Sequence, residues 1–78
     1  MNPIILTPAD VAAIVLRADL LAWRDSEALA VLAARRRKRY DEGERGNYPR
    51  PIRRFLLVAM LAAEMARARV LARETAVV

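Results

Sequence analysis

Apolar residues recur along the first half of the chain at alternating steps of four and three. Val11, Val15, Ala18, Ala22, Leu29 and Leu32 fall on one line, with Asp25 in its middle and Arg36 and Arg39 at its end. That spacing predicts the packing seam of a long helix. The start of the helix is well marked. Thr7 fits the N-cap, Pro8 the first helical position and Asp10 the third, from which a carboxylate reaches back to the cap. Asp25 and Ser26 interrupt the seam and suit the start of a new helix, but no Gly or Pro stands there to reverse the chain. The pattern therefore favours one long helix over residues 8–42, kinked near Asp25, with a break there into two helices as the alternative. Residues 1–7 form a lead-in whose Ile4, Ile5 and Leu6 are expected to pack as a staple on the first turn.

Gly43, Gly46, Asn47 and Pro49 are turn formers and predict a basic turn over residues 43–50. Pro51 suits the first position of a last helix over residues 51–75. Phe55, Leu56, Ala59, Ala62, Ala63, Ala66 and Val70 make its main face. No glycine caps its end, and Val77 and Val78 are expected to fray. The expected fold is all-α, one small domain over residues 1–78. It is a helical hairpin with a long first helix, or three helices if the chain breaks near Asp25.

The apolar pattern exceeds what a hairpin can cover. Ala12, Leu16, Leu20 and Trp23 lie on the side away from Val11, Ile14, Val15, Ala18 and Leu21. The first half of the last helix is apolar nearly all round, with Leu57, Met60, Leu61 and Met65 off its main face. Burying a Leu or Trp side chain is worth about 1.5–3 kcal/mol or more, so leaving several in water is a real loss. Leu16, Leu20, Trp23, Leu57 and Leu61 are accordingly expected to form a protein interface. Self-association into a dimer or bundle is expected, with a further protein partner. Met60 and Met65 together with Trp23 fit a plain core, the alternative being an adaptable binding groove.

Composition sharpens this picture. Apolar residues make up 56% of the 78 residues and aromatics only 5%, so the core is built from Ala, Leu, Val, Ile and Met, and depends on close approach of backbones. There is no Cys and no His. The chain has no disulfide, no thiolate zinc site, and neither the commonest metal ligand nor the commonest general base. The carboxylates Asp10, Asp19, Asp25, Glu64 and Glu74 are scattered, and the run from Gly43 to Gly46 lacks the spacing and the Lys-Ser/Thr of a phosphate loop. No enzymatic activity, cofactor, metal or small-molecule substrate is expected.

The net charge is +5, from 14 basic and 9 acidic residues. Lys38 is the sole lysine, and an Arg- and Ala-rich chain also reflects a GC-rich genome, so the clustering of charge matters more than its total. Arg35, Arg36, Arg37, Lys38 and Arg39 end one helix, Arg45 and Arg50 lie in the turn, and Arg53 and Arg54 open the next. These nine are the candidate contacts to nucleic acid or to an acidic partner, with Tyr40 and Tyr48 flanking the turn. A helix C-terminus welcomes the first group, but an N-terminus disfavours Arg53 and Arg54, which points to a role other than local helix stability. Consecutive basic residues surround a helix rather than forming one groove-reading face, which suits backbone contact better than base reading.

The segment TPADVAAIV resembles the first helix of many bacterial helix-turn-helix regulators. Leu16 to Leu21 then continues without the required turn, so no residue role follows from it. The apolar run from Phe55 to Ala63 stops at Glu64, short of the roughly 20 residues a membrane span needs. The first ten residues lack the pattern of a secretory signal. A cytoplasmic protein of bacterial or phage type is expected. The expected function is that of a non-enzymatic interaction or assembly module acting through apolar helix faces and a basic tip. Low-specificity binding of nucleic-acid backbone through the Arg35–Arg54 cluster is the alternative, and attachment to an anionic membrane surface is a third option.

Overall fold

The computed structural model describes residues 3–76. Three helices follow one another: α1 (Pro8–Leu21), α2 (Ser26–Arg45) and α3 (Arg50–Ala76). There is no strand among the described residues, in keeping with the all-α expectation. The outermost part of the lead-in, Met1 and Asn2, and the expected fraying of Val77 and Val78 lie outside the described residues.

The start of α1 follows its sequence signal. The Thr7 N–H donates to Asp10 Oδ2 at 2.8 Å, and the Asp10 N–H donates back to Thr7 Oγ1 at 3.2 Å. This reciprocal capping box satisfies two of the orphan donors of the first turn. The staple expected before it is largely absent. Ile5 is 70% exposed, Leu6 is also exposed and Ile4 is half-buried.

The favoured long helix is replaced by two helices. Asp25 takes an extended backbone (φ −77°, ψ 166°) and its carboxylate accepts from the Ala28 N–H at 2.8 Å. The Ala22 N–H turns to the Asp19 carbonyl and the Arg24 N–H to that of Leu21, so α1 closes in a tightened last turn. The cap and this tightened turn together reverse the chain without Gly or Pro. Asp25 on the apolar seam is a helix start, and it is exposed.

The turn between α2 and α3 is shorter than expected. Gly43 belongs to α2 and is buried. A Cβ there would stand 3.1 Å from Leu56 Cδ1, so the missing side chain lets α3 approach. The reversal is made by Gly46, Asn47 and Tyr48. The Asn47 N–H donates to Glu44 O and the Tyr48 N–H to Gly43 O, at 3.2 and 2.9 Å. Asn47 carries a left-handed φ of 49°. These bonds and that conformation form a Schellman cap with Asn in the position usually held by Gly.

Contacts along α3 fix the topology. Asp10 meets Arg54 and Asp19 meets Arg69, so α1 runs the same way as α3. Ser26 meets Glu74, Arg37 meets Glu64 and Glu44 meets Arg53, so α2 runs the opposite way. Both pack on α3 and scarcely touch each other. The molecule measures 46 × 25 × 17 Å with a radius of gyration of 13.4 Å, larger than the roughly 11.5 Å of a compact domain of this length. Ala18, Leu29, Ala66 and Val70 form a buried cluster where α1 and α2 converge on α3. Val58, Ala59, Met60, Ala62 and Ala63 are buried along α3, and Met65 packs against the cluster. Met60 is thus a core residue and Met65 packs half-buried against the cluster, as the plainer reading of the methionines has it, whereas Trp23 is exposed. Among the described residues no helix is long and apolar enough to cross a membrane.

The Asn47 position allows a direct check. A side chain with a Cβ but no locally bonding amide pays about 1–2 kcal/mol in the left-handed region. Asn47→Ala should lower unfolding stability by about 1 kcal/mol in urea titration, while Asn47→Gly should be neutral or slightly stabilising.

Candidate functional site

The basic tip is assembled by the Schellman turn. It brings the end of α2 against the start of α3, so Arg45, Arg50, Arg53 and Arg54 lie at one end. Arg35, Arg36, Arg37, Lys38 and Arg39, expected to end their helix, instead fall in the middle of α2, with Arg36 and Arg37 beside Ala59 and Glu64 of α3. Arg53 enters the structure at the tip. Its Nε donates to Tyr48 O at 2.8 Å, and its Nη1 lies 3.3 Å from Glu44 Oε2. At 8% exposure it is the one buried charged residue among those described. Glu44 is held below the usual carboxylate range by the Tyr40 hydroxyl and then by Arg53, and the same contact raises the Tyr40 phenol. Tyr40 is half-buried, while Tyr48 remains 43% exposed.

The neighbouring arginines are engaged in the same way. Arg54 pairs with Asp10 and donates to Ile5 O at 3.0 Å. Arg50 donates to Pro3 O, also at 3.0 Å. Together they strap the N-terminal segment and the cap of α1 onto the start of α3. This accounts for cations at a helix N-terminus, where the dipole disfavours them: they are tertiary clamps. Arg37 reaches Glu64 at 2.6 Å, and Arg36 donates to Ala59 O at 2.8 Å. Of the nine candidate residues, Arg36, Arg37, Arg50, Arg53 and Arg54 thus bond within the chain. Arg35, Lys38, Arg39 and Arg45 are exposed and make no side-chain hydrogen bond or ion pair among the described residues. The nine do not form one free patch.

The candidate interface residues also divide. Leu16 is 61% exposed, Leu20 67% and Trp23 77%, on the side of α1 turned away from the buried Ile14 and Ala18. Leu57 and Leu61 are half-buried on α3. The apolar circumference of α3 is largely explained by its central place, since two helices pack on it. That of α1 is not. Ala9, Ala13, Leu16, Leu20 and Trp23 follow steps of four, three, four and three, and no charged residue lies on that line. This is the two-in-seven spacing of a helix–helix seam. Sequence reasoning finds this outer face through Leu16, Leu20 and Trp23 but misses its regular spacing with Ala9 and Ala13.

A second feature has no signal in the sequence. Arg17 of α1, Arg36 and Arg39 of α2, and Phe55, Leu56 and Ala59 of α3 line a cleft of about 210 Å³. The Arg17 guanidinium stacks on the Phe55 ring at 5.2 Å from its centre, and Arg24 stacks on Trp23 at 4.8 Å. Burial, and then the charges of Arg17 and Arg24, lower the Arg36 guanidinium from its ordinary value. Among the described residues no group of three His, Cys, Asp or Glu side chains is placed to hold a metal ion. Comparison of the chain with known protein families, with curated proteins and with solved structures finds no match.

The clamp and free arginines should behave differently. Arg53→Met leaves Tyr48 O and Glu44 without their partner and should cost about 2 kcal/mol of stability in denaturant titration. Lys38→Ala, at an exposed position within α2, should change it by less than about 0.5 kcal/mol.

The lowered carboxylates also set a pH dependence. Asp10 is held down by the Thr7 N–H and, more weakly, by the Thr7 hydroxyl and Arg54, with burial opposing, and Glu44 is lowered as above. A carboxylate lowered on folding gives stability that is present above its unfolded value, near pH 4, and lost as pH falls through the folded one. Melting temperature should therefore hold steady from neutral pH to about 5 and fall below about 4. The fall should be shallower in the Asp10→Asn, Glu44→Gln double variant.

Proposed function

We propose that the chain is a non-enzymatic assembly module that pairs with a second copy of itself through the outer seam of α1. The observation that carries this is the exposure of Leu16, Leu20 and Trp23 on one uncharged line with Ala9 and Ala13. A 4-3 apolar spacing mates best with a helix of the same spacing, and the small alanines let the two backbones approach. The chain carries a net charge of +5, so copies repel one another at long range. The seam residues themselves carry no charge, and Arg24 lies over the Trp23 ring at its end. An acidic protein partner is less well served, because most of the arginines that would attract it are bonded within the chain.

Binding of nucleic-acid backbone is the second reading, and it now rests chiefly on Arg35, Lys38, Arg39 and Arg45. Those exposed cations suit phosphate contact of low specificity, with a correspondingly shallow salt dependence.

Light scattering over a concentration series tests both. The expected result is a dimer or larger species whose mass falls to that of one chain in the Leu16→Glu, Leu20→Glu variant, with helical circular dichroism retained. A wild-type chain that stays monomeric to about 100 μM, or a double variant with unchanged mass, would sink the self-association. Added DNA duplex should leave the mass unchanged at moderate salt. A shift seen at about 50 mM salt and lost on salt addition would transfer the function to the exposed cations.

A further inference from the structure

Helices α1 and α2 converge near residues 22–25 and splay apart from there, each resting on α3. The cleft lined by Arg17, Arg36, Arg39 and Phe55 lies in the opening of that V. Its lining brings three arginines from two helices together beside an aromatic ring. Each ion pair among the described residues joins an arginine to a carboxylate elsewhere: Arg37 to Glu64, Arg53 to Glu44, Arg54 to Asp10 and Arg69 to Asp19. None involves Arg17, Arg24, Arg36 or Arg39. What sets this opening apart is that three of these cations, Arg17, Arg36 and Arg39, line the same cleft, where like charges repel.

Two of the lining guanidiniums are nevertheless positioned. Arg17 lies over the Phe55 ring, and Arg36 is fixed by the bond from its Nη1 to Ala59 O at 2.8 Å. A guanidinium offers five donors, so Arg36 keeps others for a ligand. Arg39 adds a third cation at the exposed rim. Planar donor forks of this type match the oxygens of a phosphate. Phe55, 55% exposed, and Leu56 give an apolar wall beside them.

We propose that this cleft binds a phosphate group, held by Arg36 and Arg17 from the floor and wall and by Arg39 from the rim, with the body of the ligand against Phe55. The proposal does not depend on self-association: Arg17 borders the outer seam of α1, but Arg36, Arg39 and Phe55 belong to α2 and α3. Free phosphate esters and lipid headgroups share this chemistry, and the experiment separates them.

The test uses the full chain. Heteronuclear NMR or calorimetric titration is made with pyrophosphate and with adenosine monophosphate, against sodium chloride at matched ionic strength. Flotation with phosphatidylglycerol-containing vesicles forms the lipid arm. Saturable binding is expected, with shifts at Arg17, Arg36 and Phe55, weakened about tenfold or more by Arg36→Gln. Arg39→Gln, which loses no intramolecular bond among the described residues, should weaken binding without altering the fold and keeps the test valid if the Arg36 variant unfolds. Lys38→Ala, outside the cleft, should leave affinity unchanged. Binding to vesicles alone that is lost in Arg39→Gln identifies a lipid headgroup as the source of the phosphate. A response matched by chloride, no binding in either arm, or a loss in Lys38→Ala equal to that in Arg39→Gln overturns the proposal.

Discussion

Ala59, Ala62, Ala63 and Ala66 are buried in the middle of α3, and the other two helices both depend on the surface they help to form. A buried alanine contributes little area of its own, so the gain comes from bringing backbones close and letting larger side chains from neighbouring helices reach across. Leu29 does this from α2, and it is the one large side chain that is fully buried among the described residues. Ala18 does the same for α1 as a small residue. Gly43 extends the rule to the tip, where the lack of a Cβ admits Leu56. Because α3 is wrapped on two sides, α1 and α2 have little left for each other. A flat, elongated molecule is the result, with a splayed opening between them.

Arginine supplies the second level of organisation. The alanine-based core is modest for a chain of 78 residues, and domains of this size have little stability to spare. Side chains that span from one helix to the carbonyls and carboxylates of another hold the layers in register. Arg54 and Arg50 fasten the N-terminal segment, Arg53 closes the tip, and Arg69 and Arg73 fasten the end of α1, the latter by donating to Ala22 O at 2.6 Å. Exposed pairs such as Arg69 with Asp19 are worth little singly. Arg53 is different, since it is buried and its guanidinium meets both a carbonyl and a carboxylate.

These two levels explain what remains unused. Once α3 has taken one side of α1, the seam through Leu16, Leu20 and Trp23 has no helix to meet within the chain. Once carboxylates have been matched to the clamping arginines, Arg17, Arg36 and Arg39 are left gathered at the opening between α1 and α2. The apolar surplus and the cationic surplus meet along one edge of α1, where Arg17 and Arg24 flank the seam, but the phosphate site draws chiefly on α2 and α3.

The local events were legible in the chain itself. Thr7, Pro8 and Asp10 announce the start of α1 because a capping box is made entirely of neighbours. Helical periodicity gives the all-α class and the surplus apolar face, since side-chain spacing fixes which residues share a side. Asp25 was visible as a cap, but a reversal without Gly or Pro depends on α1 and α2 both finding room on α3, and sequence spacing does not encode that. Gly43 looked like a turn former and proved to be a packing contact, because a glycine is used both for conformational freedom and for close approach. The arginines were the least legible. Their clustering in sequence suggested one basic surface, yet the partner of a long flexible side chain is set by whichever helix lies opposite. Only the tertiary arrangement decided that Arg53 is buried, that Arg54 and Arg50 hold the N-terminal segment, and that Arg17 stands with Arg36 over Phe55.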